Sequence, residues 1–397
     1  MTVVGILAFV VALLVSVMLH EAGHFFTARR YGMKATQFFV GFGPTLWSRR
    51  KGETEYGIKA IPAGGFVKIV GMTPLEEIEP GDEDRAFYKQ PARRKTVVLA
   101  AGSTVHFIIC IVLVLLTTAF YGTPKETAPI LAAISNCVAN DPLASCGAPD
   151  ARLAPAVTAG LKASDEVLAV DGRTVSSSAG LIDAVKAKPG QAVTLTIRRA
   201  GREQAVRVVP AGVTRPGATQ AVGAIGVSVQ QHFVTERSGP VGTVQNTAST
   251  IGMLVTGTID TFSKKLGTIT EVYGPNRDPA GFVGVVGVSR VSGEIAAAKM
   301  PPGDKIASFV LIVAGLNLFV GIFNLLPLLP LDGGHIAVVW FEKARDRIRR
   351  ARGYVGEIQR VDYNKLMPVT MAVVVLFAGF TVWLLGADIV NPIRISQ

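Results

Sequence analysis

Four apolar runs constrain this chain more than any other feature: Thr2 to Ala28, Thr96 to Tyr121, Ile306 to Leu329 and Leu366 to Val390. Each is long enough for a bilayer core of about 30 Å, which takes roughly 20 helical residues. Inside lipid the backbone must satisfy its own hydrogen bonds, so helices are the expected form. The 397 residues are 49% hydrophobic and only 17% charged, too apolar for an ordinary soluble chain, yet the stretch between the second and third runs is long and mixed. The expected fold is a polytopic α-helical membrane protein with four transmembrane helices and an inserted α+β domain. The formal charge of +11 raises nucleic acid as a partner. No basic helix with interleaved aromatics and no nucleic-acid motif accompanies it, so no nucleic-acid partner is expected and the charge is assigned to membrane topology.

The first run, 1–28, lacks the basic residues of a secretory leader and carries His20, Glu21 and His24 where a cleavage site would fall, so it reads as a retained span. Basic residues then crowd the segment 29–95, from Arg29 and Arg30 through Arg49, Arg50 and Lys51 to Arg93, Arg94 and Lys95. A second basic segment, 336–365, lies between the last two spans, from Lys343 through Arg349 and Arg350 to Arg360 and Lys365. By the positive-inside rule both are cytoplasmic, which puts both termini and the central region outside. The spans are 96–121, 306–335 (the third apolar run together with the motif that ends it) and 366–390.

Between residues 129 and 211 hydropathy falls and short alternating runs appear, "EVLAVDG", "GQAVTLTIRRAG" and "EQAVRVVPAG", with "LIDAVKA" as one amphipathic helix among them. This stretch resembles a bacterial PDZ domain, with Ala163, Ser164 and Asp165 where that family usually has Pro-Gly-Asp. The resemblance implies peptide uptake by strand addition, a substrate C-terminus being one ligand; a domain that only blocks or spaces access is the alternative. Cys137 and Cys146 fall in the region assigned to the exterior, where either a disulfide or two free thiols is compatible with sequence. Residues 213–305 form either a membrane-surface amphipathic region or a second small subdomain.

His20 and His24, four residues apart, share one face of a helix, within reach of a single cation. Glu21 lies beside them, completing an H-E-x-x-H arrangement for which zinc is the expected metal and the glutamate the acid-base group. Ionisable groups inside a span are costly and mark functional sites by default. A catalytic zinc needs a third protein ligand and an open position. Asp332 in "NLLPLLPLDGGH" is the candidate, in a segment where Pro327 and Pro330 interrupt a helix and Gly333 and Gly334 permit unusual backbone angles. It could instead simply cap the next helix, or His335 could be the ligand in its place.

A first-span "HEAGH" and a third-span Asn324-x-x-Pro327-x-x-x-Leu331-Asp332-Gly333-Gly334, with a PDZ-like domain between, resemble the site-2 protease family of intramembrane zinc metalloproteases, in the bacterial branch that cleaves anti-sigma factors. The resemblance implies that His20, His24 and Asp332 hold Zn2+, that Glu21 activates water and that Asn324 hydrogen-bonds the substrate backbone. Asn317, on the same helical face, is expected to pack the bundle through an interhelical hydrogen bond. The stretch 52–72 is similar to the family's membrane-dipping β-loop, and "YGIKAIP" and "FVKIV" around Gly64 and Gly65 read as a hairpin whose edge holds an extended substrate; an ordinary cytoplasmic hairpin is the alternative. Substrates implied by the family are single-span membrane proteins, such as anti-sigma factors already shortened outside by another protease, in a bacterial cytoplasmic membrane whose lipid is the remaining partner. Two rival functions share these features: a non-catalytic zinc-containing adaptor recruiting peptides through its PDZ domain, and a metal transporter, which would spread its ligands along a path.

Overall fold

The computed structural model describes residues 1–72, 78–141, 145–215, 217–274, 277–278, 281–356 and 361–393. Arg360 of the basic segment lies outside them. The chain divides into two compact units, Met1–Tyr121 with Ser238–Gln397, and Gly122–Arg237.

The first unit opens with helix α1, Thr2–Arg30, whose buried residues Gly5, Phe9, Ser16, His20, His24 and Ala28 recur every four or seven positions and so form one stripe. Strands β1, Ala35–Lys51, and β2, Thr54–Ile69, follow, joined at Gly52 and Glu53. The hairpin expected around Gly64 and Gly65 takes a different form. Instead of pairing with each other, the two arms flank the first half of β1: Phe38 faces Val67 and Tyr56, Phe39 faces Phe66 and Gly57, and Val40 faces Gly65 and Ile58. The tight turn belongs at Gly52, where φ is +66°, and β1 is long enough to fold over and occupy the place between the arms.

Helix α2, Ala92–Phe120, begins after Pro91, and its last residues lead into the second unit. There β3 (Thr123–Ile134), β4 (Cys137–Val138), β5 (Arg152–Leu153), α3 (Pro155–Thr158), β6 (Glu166–Val170), β7 (Arg173–Thr174), α4 (Ser178–Lys186), β8 (Val193–Arg199), β9 (Arg202–Val208), β10 (Ala211–Val213), β11 (Val222–Ala224) and β12 (Val227–Glu236) follow in order. The main sheet is antiparallel, in the order β12-β3-β6-β8-β9 with β7 beside β6. Its core gathers Leu131, Val167, Leu181, Leu195, Ile197 and Ile225. Ser177 caps α4 by accepting from the Gly180 N–H. Cys137 and Cys146 are joined as a disulfide, with Cα atoms 5.5 Å apart. The second unit is thus wider than the expected 129–211, because β12 runs back along β3 from Val227 opposite Ile134 to Glu236 opposite Thr123.

Returning to the first unit, helices α5, Pro240–Lys264, α6, Val285–Ala297, α7, Pro302–Asn324, α8, Asp332–Ala351, and α9, Tyr363–Val390, complete the fold. Among the described residues, α1, α2, α7 and α9 are long and apolar enough to cross a membrane. Residues 213–305 are neither one surface element nor one subdomain. Up to Arg237 they belong to the second unit, and α5 packs into the bundle, where Ile251, Leu254 and Val255 cover Cys110 and Val114 of α2 and Ala314 and Leu318 of α7. The expected span 306–335 is also divided. The helix ends at Asn324, since a residue preceding Pro327 is pushed out of helical geometry and Pro330 blocks re-entry. A new helix begins at Asp332.

Candidate metal centre

His20 and His24 leave α1 on its buried stripe and pack against α2. Any side chain at Gly102 of α2 would collide with both imidazoles, so glycine is needed for this approach. The turn between α7 and α8 supplies the third group. Gly333 and Gly334 lie so close to the Leu325–Leu329 backbone that a Cβ on either would overlap it, and this fold-back brings Asp332, first residue of α8, toward α1.

The three donor atoms form a nearly equilateral triangle: His20 Nε2 to His24 Nε2 is 3.1 Å, and Asp332 Oδ2 lies 3.5 Å from His20 Nε2 and 3.4 Å from His24 Nε2. A tetrahedral zinc with ligand bonds of about 2.0–2.1 Å needs ligand atoms about 3.3–3.4 Å apart, so the donors fit the ion. Two further observations agree with it. The Nδ1–H of His24 donates to the Val98 carbonyl at 2.7 Å, which leaves Nε2 with a bare lone pair and fixes the ring. Asp332 Oδ2 is buried and makes no hydrogen bond among the described residues. Among those residues, His20, His24 and Asp332 are the group of His, Cys, Asp and Glu side chains able to hold a metal ion.

The alternatives for Asp332 find other places. The cap position of α8 is Leu331, and no side chain caps this helix. His335 turns toward α9, its Nδ1 3.4 Å from the Tyr363 hydroxyl and its ring stacked on that of Tyr363. Glu21 lies on α1 next to His20, and its Oε2 accepts a hydrogen bond of 3.1 Å from the Val67 N–H of β2. The Gly65–Ile69 end of β2 pairs with Ala35–Val40, and its Val67 N–H is turned toward Glu21. Gly65 itself rests against Met18 of α1, where a side chain would collide. Gly64 precedes it at a φ of +133°. Asn324 is the last residue of α7 and is half-buried.

One group escaped the sequence reading. His106, at the middle of α2, is buried with its ring centroid 4.9 Å from that of His20. Its Nδ1 lies 2.8 Å from Asn317 Oδ1, and Asn317 Nδ2 donates to Ser16 Oγ and the Val313 carbonyl. Asn317 therefore does make the expected interhelical bond, and it links α1, α2 and α7 next to the metal site. The available signal was the one applied to His20 and His24: an ionisable residue inside an apolar span, here with an amide in another span to pair with.

Two imidazoles and a carboxylate converging on one point, with a second carboxylate beside them and helices long enough to span a bilayer around them, define a membrane metallohydrolase. The comparisons with known proteins agree. The model of peptidase family M50 matches residues 8–361. The chain is 40% identical to the zinc metalloprotease Rip1 of Mycobacterium tuberculosis over the whole of both chains, and 39% identical to Rip1 of Mycolicibacterium smegmatis over 99% of each. A putative zinc metalloprotease of Nostoc sp. is 28% identical over 86% of this chain and 87% of its own. This chain belongs to peptidase family M50, the site-2 proteases, and is a zinc metalloprotease.

Proposed function

We propose that this protease hydrolyses peptide bonds within or next to the transmembrane helix of single-span membrane proteins, with His20, His24 and Asp332 holding the zinc and Glu21 as the acid-base group. The observation that carries this reading is the join between Glu21 and the β-sheet: the carboxylate beside the metal ligands is tied to the Val67 N–H at the Gly65–Ile69 end of β2. A helix hides its scissile bonds, so a substrate must be drawn out before water can attack. A sheet edge ending at the catalytic carboxylate provides for that by pairing with the unwound segment.

Held by His20, His24 and Asp332, zinc would supply Lewis-acid polarisation of the scissile carbonyl and a water acidic enough to act near neutral pH. The chain's own groups do the rest. Glu21 takes a proton from the attacking water as its oxygen bonds to the carbonyl carbon, and delivers it to the departing amide nitrogen as the C–N bond breaks. Asn324, at the end of α7, holds the substrate backbone, and Gly64 and Gly65 belong to the arm of the sheet along which that backbone is drawn out. The Gly122–Arg237 unit acts as the PDZ-like module on the extracytoplasmic side and meets the outer end of a substrate already trimmed by another protease, an anti-sigma factor being the substrate type the resemblance favours. Both termini are outside, and the metal site faces the cytoplasmic half of a bacterial inner membrane, since His20 and His24 precede the basic Arg29 and Arg30 end of α1.

The test is cleavage of a tagged single-span anti-sigma factor, truncated outside the membrane, by purified wild type and Glu21→Gln with zinc. Cleavage by wild type and none by Glu21→Gln is the expected result. Equal cleavage by both would remove Glu21 from the mechanism.

A further inference from the structure

Helix α8 carries a face that the metal site does not use and that the bundle touches through a Trp340 hydrogen bond. Its buried side is accounted for: Val339 and Ile336 pack with Ala28, Met33, Ile69 and Leu99, and Glu342 lies 3.8 Å from Lys95 while accepting from the Val361 N–H. On the other side Ala337, Trp340, Phe341, Ala344, Ile348 and Ala351 are all exposed, and their spacing of i, i+3, i+4, i+7, i+11 and i+14 makes a continuous apolar stripe roughly 100° wide. Trp340 is 43%, Phe341 61% and Ile348 53% exposed. Cations border this stripe on both flanks, with Lys343, Arg347 and Arg350 on one and Arg349 on the other, where Arg345 is half-buried and paired with Asp346 at 3.4 Å. Glu342 and Asp346 fall on the face opposite the stripe.

We propose that α8 is an interfacial helix that docks on anionic lipid headgroups, the stripe entering the acyl boundary and the flanking cations meeting lipid phosphates. An apolar stripe between two cationic borders is the pattern of a helix lying in the plane of a membrane surface. The depth fits as well. The Trp340 indole N–H donates to Thr96 Oγ1 at 3.0 Å, and Thr96 lies in the first turns of the membrane-crossing α2, directly after Arg93, Arg94 and Lys95. Trp340 therefore stands where α2 enters the bilayer, the level at which indole rings and snorkelling cations collect. A second copy of the chain is a poor occupant, because a two-fold contact would set these cationic borders against their own kind. Since α8 begins at Asp332, the headgroup seat and the proposed zinc ligand are two ends of one helix.

The experiment uses the full chain with Trp47→Phe and Trp383→Phe, leaving Trp340 as the single indole, in nanodiscs containing brominated phosphatidylglycerol or brominated phosphatidylcholine at equal mole fraction. The expected result is stronger quenching of Trp340 by the brominated anionic lipid. In Arg347→Gln/Arg349→Gln/Arg350→Gln this preference should fall at least severalfold while quenching by either lipid persists, because the apolar stripe is intact. Lys343 is kept because its ammonium lies 4.5 Å from the centroid of the Trp340 ring and its loss would alter the reporter. Zinc content equal to that of the parent shows that the variant is folded. Equal quenching by the two lipids in the parent would overturn the anionic preference. No quenching by either, or quenching relieved by a second copy in the same disc, would overturn the docking itself.

Discussion

Asp388 and Asp332 are both carboxylates withdrawn from water in the same unit, and the chain compensates them differently. Asp388, near the end of α9, receives the Arg277 guanidinium at 2.7 Å and the Gly287 N–H at 2.7 Å, and Arg277 in turn donates to the carbonyls of Ala387, Asn391 and Phe282. Asp332 faces two imidazoles whose ring nitrogens lie at 3.4 and 3.5 Å. The Gly122–Arg237 unit follows the Asp388 pattern: Asp165 is held by Arg199 through both oxygens and by the Lys162 N–H. Where a buried acid serves the fold, the chain supplies the cation; at Asp332 the proposed cation is the zinc.

This contrast makes the variants separable. The largest expected effect is on activity: Asp332→Ala should lower cleavage by at least about a thousandfold, since zinc supplies several kcal/mol of transition-state stabilisation, while leaving the melting transition in detergent near that of the metal-free parent. Asp388→Ala should do the reverse on stability, because it strands a buried guanidinium at a cost of about 3–5 kcal/mol, read as an earlier thermal transition. Similar melting for the two variants would break the distinction.

Asp165→Asn comes next, at about 2–3 kcal/mol, because Arg199 retains some contact with solvent. Its pH dependence has a definite sign. Burial alone would raise the Asp165 carboxyl, but the hydrogen bonds from Arg199 and the Lys162 N–H outweigh it and hold the carboxyl below the usual aspartate range. The pair's contribution is therefore complete above about pH 3.9 and is lost as pH falls through the lowered value. Limited proteolysis of the full chain should show β8 and β9 opening below about pH 4 in the parent, and little change over the same window in Asp165→Asn. The smallest effect is expected from Asn317→Ala, at about 1–2 kcal/mol in thermal stability, since it unties His106 from Ser16 without removing a zinc ligand.

How far sequence reached is visible in the same residues. The H-E-x-x-H motif was legible because helical periodicity alone puts His20 and His24 on one face, and Asp332 because two prolines and two glycines announce a break beside it. Only the β2 part of the sheet was legible, and not its pairing: period-two alternation marks "YGIKAIP" and "FVKIV" as extended, while β1 went unread and the alternation is silent about a partner folding between the arms of β2. Helix α5 was hidden by its threonines. Their hydroxyls lower its hydropathy, yet Thr247, Thr258 and Thr261 each return a hydrogen bond to the carbonyl four residues back, and Thr118 meets Thr247 across the helix pair. A polar helix satisfied in this way can pack into an apolar bundle. The outer strand of the Gly122–Arg237 unit was missed because β12, with two glutamines and a histidine, carries a weak alternation that only its partner β3 completes.

The most direct test of the metal centre is zinc stoichiometry in three purified proteins: wild type, Glu21→Gln and Asp332→Ala. One zinc per chain in wild type and Glu21→Gln, with most of it lost from Asp332→Ala on dialysis against a mild chelator, is the expected result. Full retention by Asp332→Ala would contradict the three-ligand site and transfer the third ligand to another residue.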